Sequence, residues 1–278
     1  MSTDRGATAR SLVPGPWTVL AVVLAALAWE LLALDLPSYR FPGLLALAGN
    51  VGVVLRGAGE FDPVPTIGAT LARVGVGFGL SFLLALAWGT AMGLRTAAED
   101  YLGLPLYALL TVPSVVWAFL GVLWFGLTEY LVPVFVVVLV VAPYLAVTVW
   151  NGVEAVDDDL VEMAQAFDAS PAERLRHVYL PQVLPALLAA VRLGLAVAWK
   201  LALVAEVFGA ATGVGVAVKY HFENFDTGMV IAWAVPVMAL MVVVERLLRW
   251  AEARATRWRG AGDAVTGTDA GGREVAPE

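Results

Sequence analysis

The chain contains no cysteine, only two histidines and few charged residues. Without cysteine there are no disulfides, no thiolate metal sites and no cysteine nucleophiles. His177 and His221 lie in different segments and form no ligand cluster. Charged residues make up 15% of the 278 residues, against about 25% in soluble domains. The net charge of −7 argues against a nucleic-acid partner.

Motifs that carry enzymatic chemistry are also missing. The sequence has no G-x-x-x-x-G-K-[ST] phosphate loop, no H-E-x-x-H zinc motif and no G-x-S-x-G nucleophile elbow. The glycines within residues 75–79 and 89–93 lie in an apolar segment, where close packing of helices explains them better than a nucleotide-binding loop does. We therefore predict that this chain is not an enzyme and needs no cofactor or metal.

Long apolar runs dominate what is present. Hydrophobic residues make up 60% of the chain and the mean hydropathy is +0.80. A helix of about 20 apolar residues crosses a bilayer. Six segments meet this length: residues 17–36, 74–94, a run within 102–127, 132–150, 183–208 and 229–248. A signal peptide is the alternative for the first, but its apolar region exceeds the usual length of about 7–15 residues. We expect an all-α, multi-pass protein of the cell membrane with six transmembrane helices.

The distribution of Arg and Lys predicts the orientation of these helices. Most basic residues fall in the segments that are cytoplasmic if both termini are inside. The membrane domain is then residues 17–259, after a cytoplasmic tail of residues 1–16 and before a tail of residues 260–278 that we predict to be disordered. The loop of residues 151–182, between the fourth and fifth spans, is cytoplasmic in this topology. Residues 37–65 are too rich in Pro and Gly to span, and predict a short interfacial helix at Leu44–Leu55.

The loop of residues 151–182 encodes two short helices. In the first, Leu160, Met163, Ala164 and Phe167 have the i, i+3, i+4, i+7 spacing of one apolar stripe. The second begins with the sequence Ser170-Pro171-Ala172-Glu173, which is an S-x-x-E capping box with proline at the first helical position. The two helices predict a rigid protrusion that transmits force. A solvated linker is the alternative.

The second helix should present its charged residues to solvent and turn Leu175 and Val178 inward. We expect Leu180, Pro181 and Pro185 to mark the return of the chain to the membrane.

This loop resembles the segment by which permeases of ABC importers dock their ATPase. The family pattern is E-A-A, three residues, G, nine residues, then I-x-L-P. The residues on this spacing are Glu162, Ala164, Val178, Leu180 and Pro181. Met163 replaces the middle alanine and Asp168 replaces the glycine. A glycine there indicates a backbone with positive φ, which aspartate tolerates better than most residues.

Other stretches between Thr66 and Arg259 resemble the six-helix permeases of nitrate, sulfonate and taurine importers. They include Thr70–Val74, Pro113–Val115, Trp124–Gly126, Asn151–Val153, Ala198–Lys200, Ala205–Glu206 and Gly213–Gly215. The resemblance implies a type I ABC importer, in which a pathway of two permease chains is driven by cytoplasmic ATP-binding subunits and supplied by an external substrate-binding protein. A homodimer is the simplest completion of the pathway. The binding protein selects the solute, so the substrate is not readable from this chain.

The resemblance also implies which residues dock the ATPase. They are Glu162, Met163, Ala164, Phe167, Asp168, Ala169, Ser170, Leu180 and Pro181. The expected function is therefore that of a permease subunit that forms the translocation pathway and couples to a separate ATPase around Glu162.

Four residues within the spans are candidates for the pathway or a gate: Pro113, Trp199, Lys200 and Glu206. Pro113 predicts a kink, which serves either packing or the pathway. Lys200 and Glu206 are about 240° apart around one helix and do not pair with each other. Either each pairs with another helix or subunit, or Lys200 lines the pathway and attracts an anionic solute. We favour pairing, because a fixed cation in the pathway would trap an anion.

An ion-coupled secondary transporter is the main alternative function. Such a protein would show paired inverted repeats with broken helices and central ionisable residues. No convincing repeat relates the two halves of this sequence, and the capped cytoplasmic loop would have no role. A purely structural membrane subunit is the second alternative.

Overall fold

The structure is a computed structural model that describes residues 15–255, and every regular element in that range is a helix. The helices are α1 (Pro16–Asp35), α2 (Leu44–Arg56), α3 (Pro63–Leu94), α4 (Thr96–Thr111), α5 (Ser114–Phe125), α6 (Leu131–Glu154), α7 (Asp158–Ala166), α8 (Pro171–Arg174), a π turn (Leu175–Tyr179), α9 (Leu180–Gly209), α10 (Val214–Glu223) and α11 (Thr227–Ala255). The predicted disordered tail of residues 260–278 and almost all of the predicted tail of residues 1–16 lie outside the described range.

Glycines on α3 allow α3 and α6 to pack in close contact. A methyl group at Gly77 would lie 2.8 Å from Val137, and one at Gly93 would lie 2.7 Å from Val153. The contacts advance together along both chains, so the two helices run parallel. The predicted small-residue packing is confirmed for Gly77, Gly89 and Gly93, whereas a methyl group added at Gly75 or Gly79 would meet no atom within 4 Å.

Helix α9 runs antiparallel to α6 and completes the core. Gly152 of α6 contacts Ala186 near the start of α9, whereas Gly209 at the end of α9 contacts Val132. The ends of α3 and α6 and the start of α9 therefore lie at one end of the bundle, here called the loop end. The starts of α3 and α6 and the end of α9 lie at the opposite, far end.

Helices α4 and α5 form one broken crossing between these two ends. The pair is bent by 94° at Pro113, which precedes the first residue of α5. The predicted third span is therefore two helices, and the predicted kink is a complete break. At its end, Thr128 donates a backbone hydrogen bond to the Gly209 carbonyl (3.2 Å). Since α3 and α6 are parallel, the chain between them has to return from the loop end to the far end.

The apolar helices agree with a membrane protein. Within residues 15–255, five helices are long and apolar enough to cross a bilayer, and the bent pair makes a sixth if it is one span. Helix α3 begins eleven residues before the predicted span, because Asp62 caps it by accepting from the Val64 amide (3.0 Å) and Pro63 suits the first position. The short helix expected at Leu44–Leu55 is α2.

Candidate functional site

The first loop helix, α7, begins at a capped and negatively charged end. Asp157 accepts a hydrogen bond from the backbone amide of Asp159 (3.0 Å), and two further carboxylates in the first turn complement the helix dipole. The Asp157 amide in turn donates to the side-chain oxygen of Gln182 on α9 (3.0 Å). The base of the loop is thereby tied to a helix of the core.

The turn after α7 is a Schellman motif centred on Asp168. The Asp168 amide donates to the Gln165 carbonyl (2.9 Å), and the Ala169 amide donates to the Ala164 carbonyl (3.0 Å). Asp168 has φ of 54°, in the left-handed region that favours glycine. The positive φ expected at this position is confirmed.

The second loop helix, α8, begins with the predicted capping box. The Glu173 amide donates to the Ser170 hydroxyl oxygen (3.3 Å), and the Ser170 amide donates to the Glu173 carboxylate (2.8 Å). The Ser170 hydroxyl also donates to that carboxylate (2.7 Å). These hydrogen bonds hold the pKa of Glu173 below its ordinary value, the hydroxyl contributing most.

Helix α8 continues through the π turn into α9 without a break, so the predicted return of the chain to the membrane at Leu180 and Pro181 falls within one continuous helix. The Leu180 amide donates to the Leu175 carbonyl five residues earlier, and this wider turn accommodates Pro181, which has no amide proton to offer. Leu175 is 62% exposed, so the expectation that it faces inward is wrong. The 39 residues of Pro171–Gly209 are about 58 Å long, roughly twice the hydrocarbon thickness of a bilayer. The helix therefore extends beyond the membrane, and its first turns, with Glu173, belong to the loop of residues 151–182 that the sequence predicts to be cytoplasmic.

The apolar stripe of α7 is uncovered. Phe167 is 82% exposed, Met163 51% and Leu160 40%. Glu162 lies beside them and is exposed, while Ala164 is half-buried. A contiguous apolar strip on a polar loop is typical of a protein-binding surface. We call this strip, formed by Leu160, Met163 and Phe167, the α7 strip.

A second polar cluster is buried at the far end, around Glu206. Its carboxylate accepts from the Arg73 guanidinium (2.7 Å), the Thr70 hydroxyl (2.9 Å) and the Gly215 amide (2.9 Å). Arg73 also donates to the Thr212 carbonyl (2.7 Å) and hydroxyl (2.6 Å). The Arg73 and Glu206 side chains are 1% and 0% exposed. We call this set the far-end cluster.

The far-end cluster links α3, α9 and the turn before α10. Gly213 in that turn has φ of 111°, and a methyl group there would lie 2.5 Å from the Arg73 guanidinium. Glu206 on α9 therefore pairs with Arg73 on α3. This confirms the favoured prediction that Glu206 pairs with another helix. Arg73 is not among the site residues predicted from the sequence, because 133 residues separate it from Glu206. The family resemblance was the signal that could have found this cluster, because three of the stretches that carry it contain residues of the cluster: Thr70–Val74, Ala205–Glu206 and Gly213–Gly215.

Lys200 has a different environment from Glu206. It is exposed on α9 and forms no ion pair with the residues that the structure describes, so pairing with a second subunit stays a prediction. The preceding Trp199 is 5% exposed and lines a crevice with Leu71 and Val74 of α3. Successive helical residues are about 100° apart, so Lys200 lies to one side of this crevice.

Helices α6 and α9 both carry exposed side chains in the part that packs together. Tyr144 of α6 is 52% exposed. On α9, Leu193 is 59% and Val204 38% exposed, on the same side as Lys200. We call the surface of Tyr144, Leu193, Lys200 and Val204 the open face.

The candidate residues thus occupy separate places in the fold. The nine loop residues lie together at the loop end, Glu206 is in the far-end cluster, and Lys200 is on the open face. Pro113 lies at the break between α4 and α5, and α5 packs on α9 through Phe119 and Phe208, whose rings are 5.0 Å apart. The loop and the far-end cluster are connected through α9, which carries residues of both.

Comparison with known proteins gives consistent matches over most of the chain. The family described as binding-protein-dependent transport system inner membrane component matches residues 77–257. The taurine transport system permease protein TauC of Escherichia coli (strain K12) is 29% identical over 244 residues, covering 88% of this chain and 85% of TauC. A relative from the same strain named for aliphatic sulfonates transport, the permease protein SsuC, is 32% identical over 187 residues, covering 64% of this chain and 70% of SsuC.

A solved structure has the same fold. A chain of the MetNI methionine ABC transporter in an inward-facing conformation superposes with a TM-score of 0.58 at 20% sequence identity. The match covers 70% of the present chain and 94% of the MetNI chain.

Proposed function

Since this chain belongs to the family of binding-protein-dependent transport system inner membrane components, we propose that it couples to a separate ATPase through α7 and the turn that follows it. As a member of that family it is a permease subunit of an ABC importer and a multi-pass protein of the inner membrane. An ion-coupled secondary transporter is not favoured, because the relatives are permeases of ABC systems.

The observation that carries the docking proposal is the exposed α7 strip on a rigid support. A Schellman turn, a capping box and the Gln182 hydrogen bond fix α7 relative to α9. A partner that buries the strip would therefore move α9 with it. The proposed docking residues are Glu162, Met163, Ala164, Phe167, Asp168, Ala169, Ser170, Leu180 and Pro181. Hydrolysis of ATP would take place in the partner chain.

The proposed topology has both termini in the cytoplasm. It follows from the distribution of Arg and Lys and makes the loop end cytoplasmic and the far end external. Six crossings, with α4 and α5 counted as one, agree with the parallel course of α3 and α6. An external binding protein would then deliver substrate at the far end.

The open face is the proposed lining of the pathway. A charged amine that faces lipid near the middle of a bilayer is costly. The part of the open face around Lys200 therefore requires a polar environment or a protein partner. A second copy of this chain, related by a two-fold axis, would enclose the open face and complete the pathway. TauC and SsuC are named for taurine and aliphatic sulfonates, which share a sulfonate group. A small solute with such an anionic group is the proposed substrate, attracted by Lys200.

Co-purification with the ATPase of the same transport system tests the docking proposal. In mild detergent the wild-type chain should capture the ATPase, and Phe167→Ala and Glu162→Ala should weaken the capture. Phe222→Ala is a matched control, because Phe222 is 72% exposed but lies on α10 at the far end. ATP hydrolysis by the reconstituted complex should rise when the binding protein is added. A well-folded chain that captures no ATPase under any condition would contradict the proposal.

A further inference from the structure

An apolar groove lies at the loop end, between α3, α6 and the continuous helix of α8 and α9. Its volume is about 450 Å³, within the usual range of about 300–1,000 Å³ for ligand sites. The walls include Leu86 and Thr90 of α3, Val149 of α6, and Arg174, Tyr179 and Leu187 of the long helix. We call this cavity the loop-end groove.

Arg174 is the charged residue in the lining of the loop-end groove. Its Nε atom is buried and has no hydrogen-bond partner, and its guanidinium forms no ion pair within the described range. A buried donor without an acceptor is destabilising, so this Nε atom favours a bound acceptor. The nearest acidic side chain in sequence, Glu173, is already engaged by Ser170. The groove therefore presents an unsatisfied cationic donor at the edge of an apolar cavity.

The shape of this site selects its occupant. The groove runs from Leu94 at the end of α3 to Leu86, about 12 Å along the helix axis into the apolar part of the bundle. A small anion would satisfy Arg174 but leave the apolar walls empty. A hydrocarbon tail alone would fill the walls but leave the guanidinium unpaired. An amphiphile with an anionic head group satisfies both.

We propose that the loop-end groove binds one anionic glycerophospholipid, with an acyl chain along the α3–α6 wall and the phosphate on Arg174. Guanidinium pairs with phosphate by two parallel hydrogen bonds, and basic pockets between membrane helices on the cytoplasmic side bind anionic head groups. Arg174 is the basic residue in the lining, so the charge of the groove favours an anionic lipid over a zwitterionic one.

Native mass spectrometry of the purified chain in mild detergent tests this proposal. Phosphatidylglycerol and phosphatidylcholine with the same acyl chains are added in turn to the wild-type chain. We expect phosphatidylglycerol to be retained about fivefold more strongly, and Arg174→Gln to remove that preference. Arg176→Gln is the matched control, because Arg176 is exposed in the same turn but does not line the groove.

A second variant tests the groove separately from the charge. Thr90→Trp fills the cavity from α3 and should reduce retention of both lipids. Equal retention of the two lipids by the wild-type chain would overturn the proposal. Retention by Thr90→Trp at the wild-type level would also overturn it, because the lipid would then be held by surface charge alone.

The ATPase is the competing partner for Arg174, and the same variants distinguish it. If Arg174→Gln abolishes ATPase capture while phosphatidylglycerol retention is unchanged, Arg174 belongs to the ATPase interface and the lipid site is refuted. If the chain retains phosphatidylglycerol through Arg174 but never captures an ATPase, the docking proposal fails and the lipid site stands.

Discussion

At the scale of single residues, Asp168 has a backbone conformation that glycine adopts at lower cost. The left-handed region costs a residue with a Cβ atom roughly 1–2 kcal/mol, and less for aspartate. Asp168→Gly should therefore raise the thermal stability of the chain slightly or leave it unchanged, and preserve the Schellman turn. Asp168→Val, which is β-branched, should lower it by about 1–3 kcal/mol. Thermal unfolding in detergent measures both. Equal destabilisation by the two variants would contradict the assigned turn.

The ion pair of Arg73 and Glu206 makes a second prediction at this scale. Glu206→Ala would leave the Arg73 guanidinium buried without its carboxylate, and such losses cost about 3–5 kcal/mol. The double variant Arg73→Met with Glu206→Leu removes both charges and should recover much of that loss, because buried pairs are often replaceable by apolar residues. A double variant that is less stable than Glu206→Ala would contradict this prediction. The ion pair would then stabilise the fold by more than the mutual neutralisation of two buried charges.

Lys200 makes a third, functional prediction. In proteoliposomes with the ATPase and binding protein of the same system, Lys200→Gln should reduce uptake of taurine or a short alkanesulfonate by about tenfold, because it removes the proposed attraction. Lys200→Arg should retain most of the uptake. Lys219→Gln is the control, since Lys219 lies on α10 and pairs with Glu223 at 3.9 Å. Wild-type uptake by Lys200→Gln would refute a pathway role for this amine.

At the scale of helices, the contact between α3 and α6 depends on glycine at particular positions. A methyl group at Gly89 would lie 2.5 Å from the Ala146 carbonyl oxygen, and that backbone atom cannot move aside. Gly89→Ala should therefore destabilise the chain by about 1–3 kcal/mol. Gly75→Ala is the matched control in the same helix, because no atom lies within 4 Å of its added methyl group. Alanine there should be neutral or stabilising by up to about 1 kcal/mol.

Comparison of the thermal stabilities of these two variants checks the packing of α3 on α6. Equal stability would mean that the two helices do not approach as closely as described.

The effect of a proline on its helix could not be predicted from the local sequence alone. The sequence predicts a kink at Pro113, and there the helix ends, whereas Pro181 lies in a continuous helix whose preceding π turn accommodates it. The difference is the shape of the preceding turn, which depends on what packs around it. The capping box at Ser170 and the positive φ at Asp168, in contrast, depend on residues within four positions and were predictable.

At the scale of the whole molecule, most of the helices could be predicted from apolar runs and short-range sequence patterns. The six apolar segments correspond to α1, α3, the α4–α5 pair, α6, α9 and α11. Contacts between distant segments were not predictable in the same way. Arg73 and Glu206 meet only because α3 and α9 pack on one side of the core, and Lys200 has no described partner although the sequence favoured one.

The central claim is that α7 docks a separate ATPase, and the absence of cysteine makes a direct test simple. Phe167→Cys places a single thiol on the α7 strip, and Phe222→Cys places one on the exposed far end. Each chain is labelled with a short photoactivated cross-linker and assembled with the ATPase. We predict an ATPase adduct from position 167 and none from position 222. An adduct from position 222 alone, or from neither position in an assembled complex, would contradict the claim.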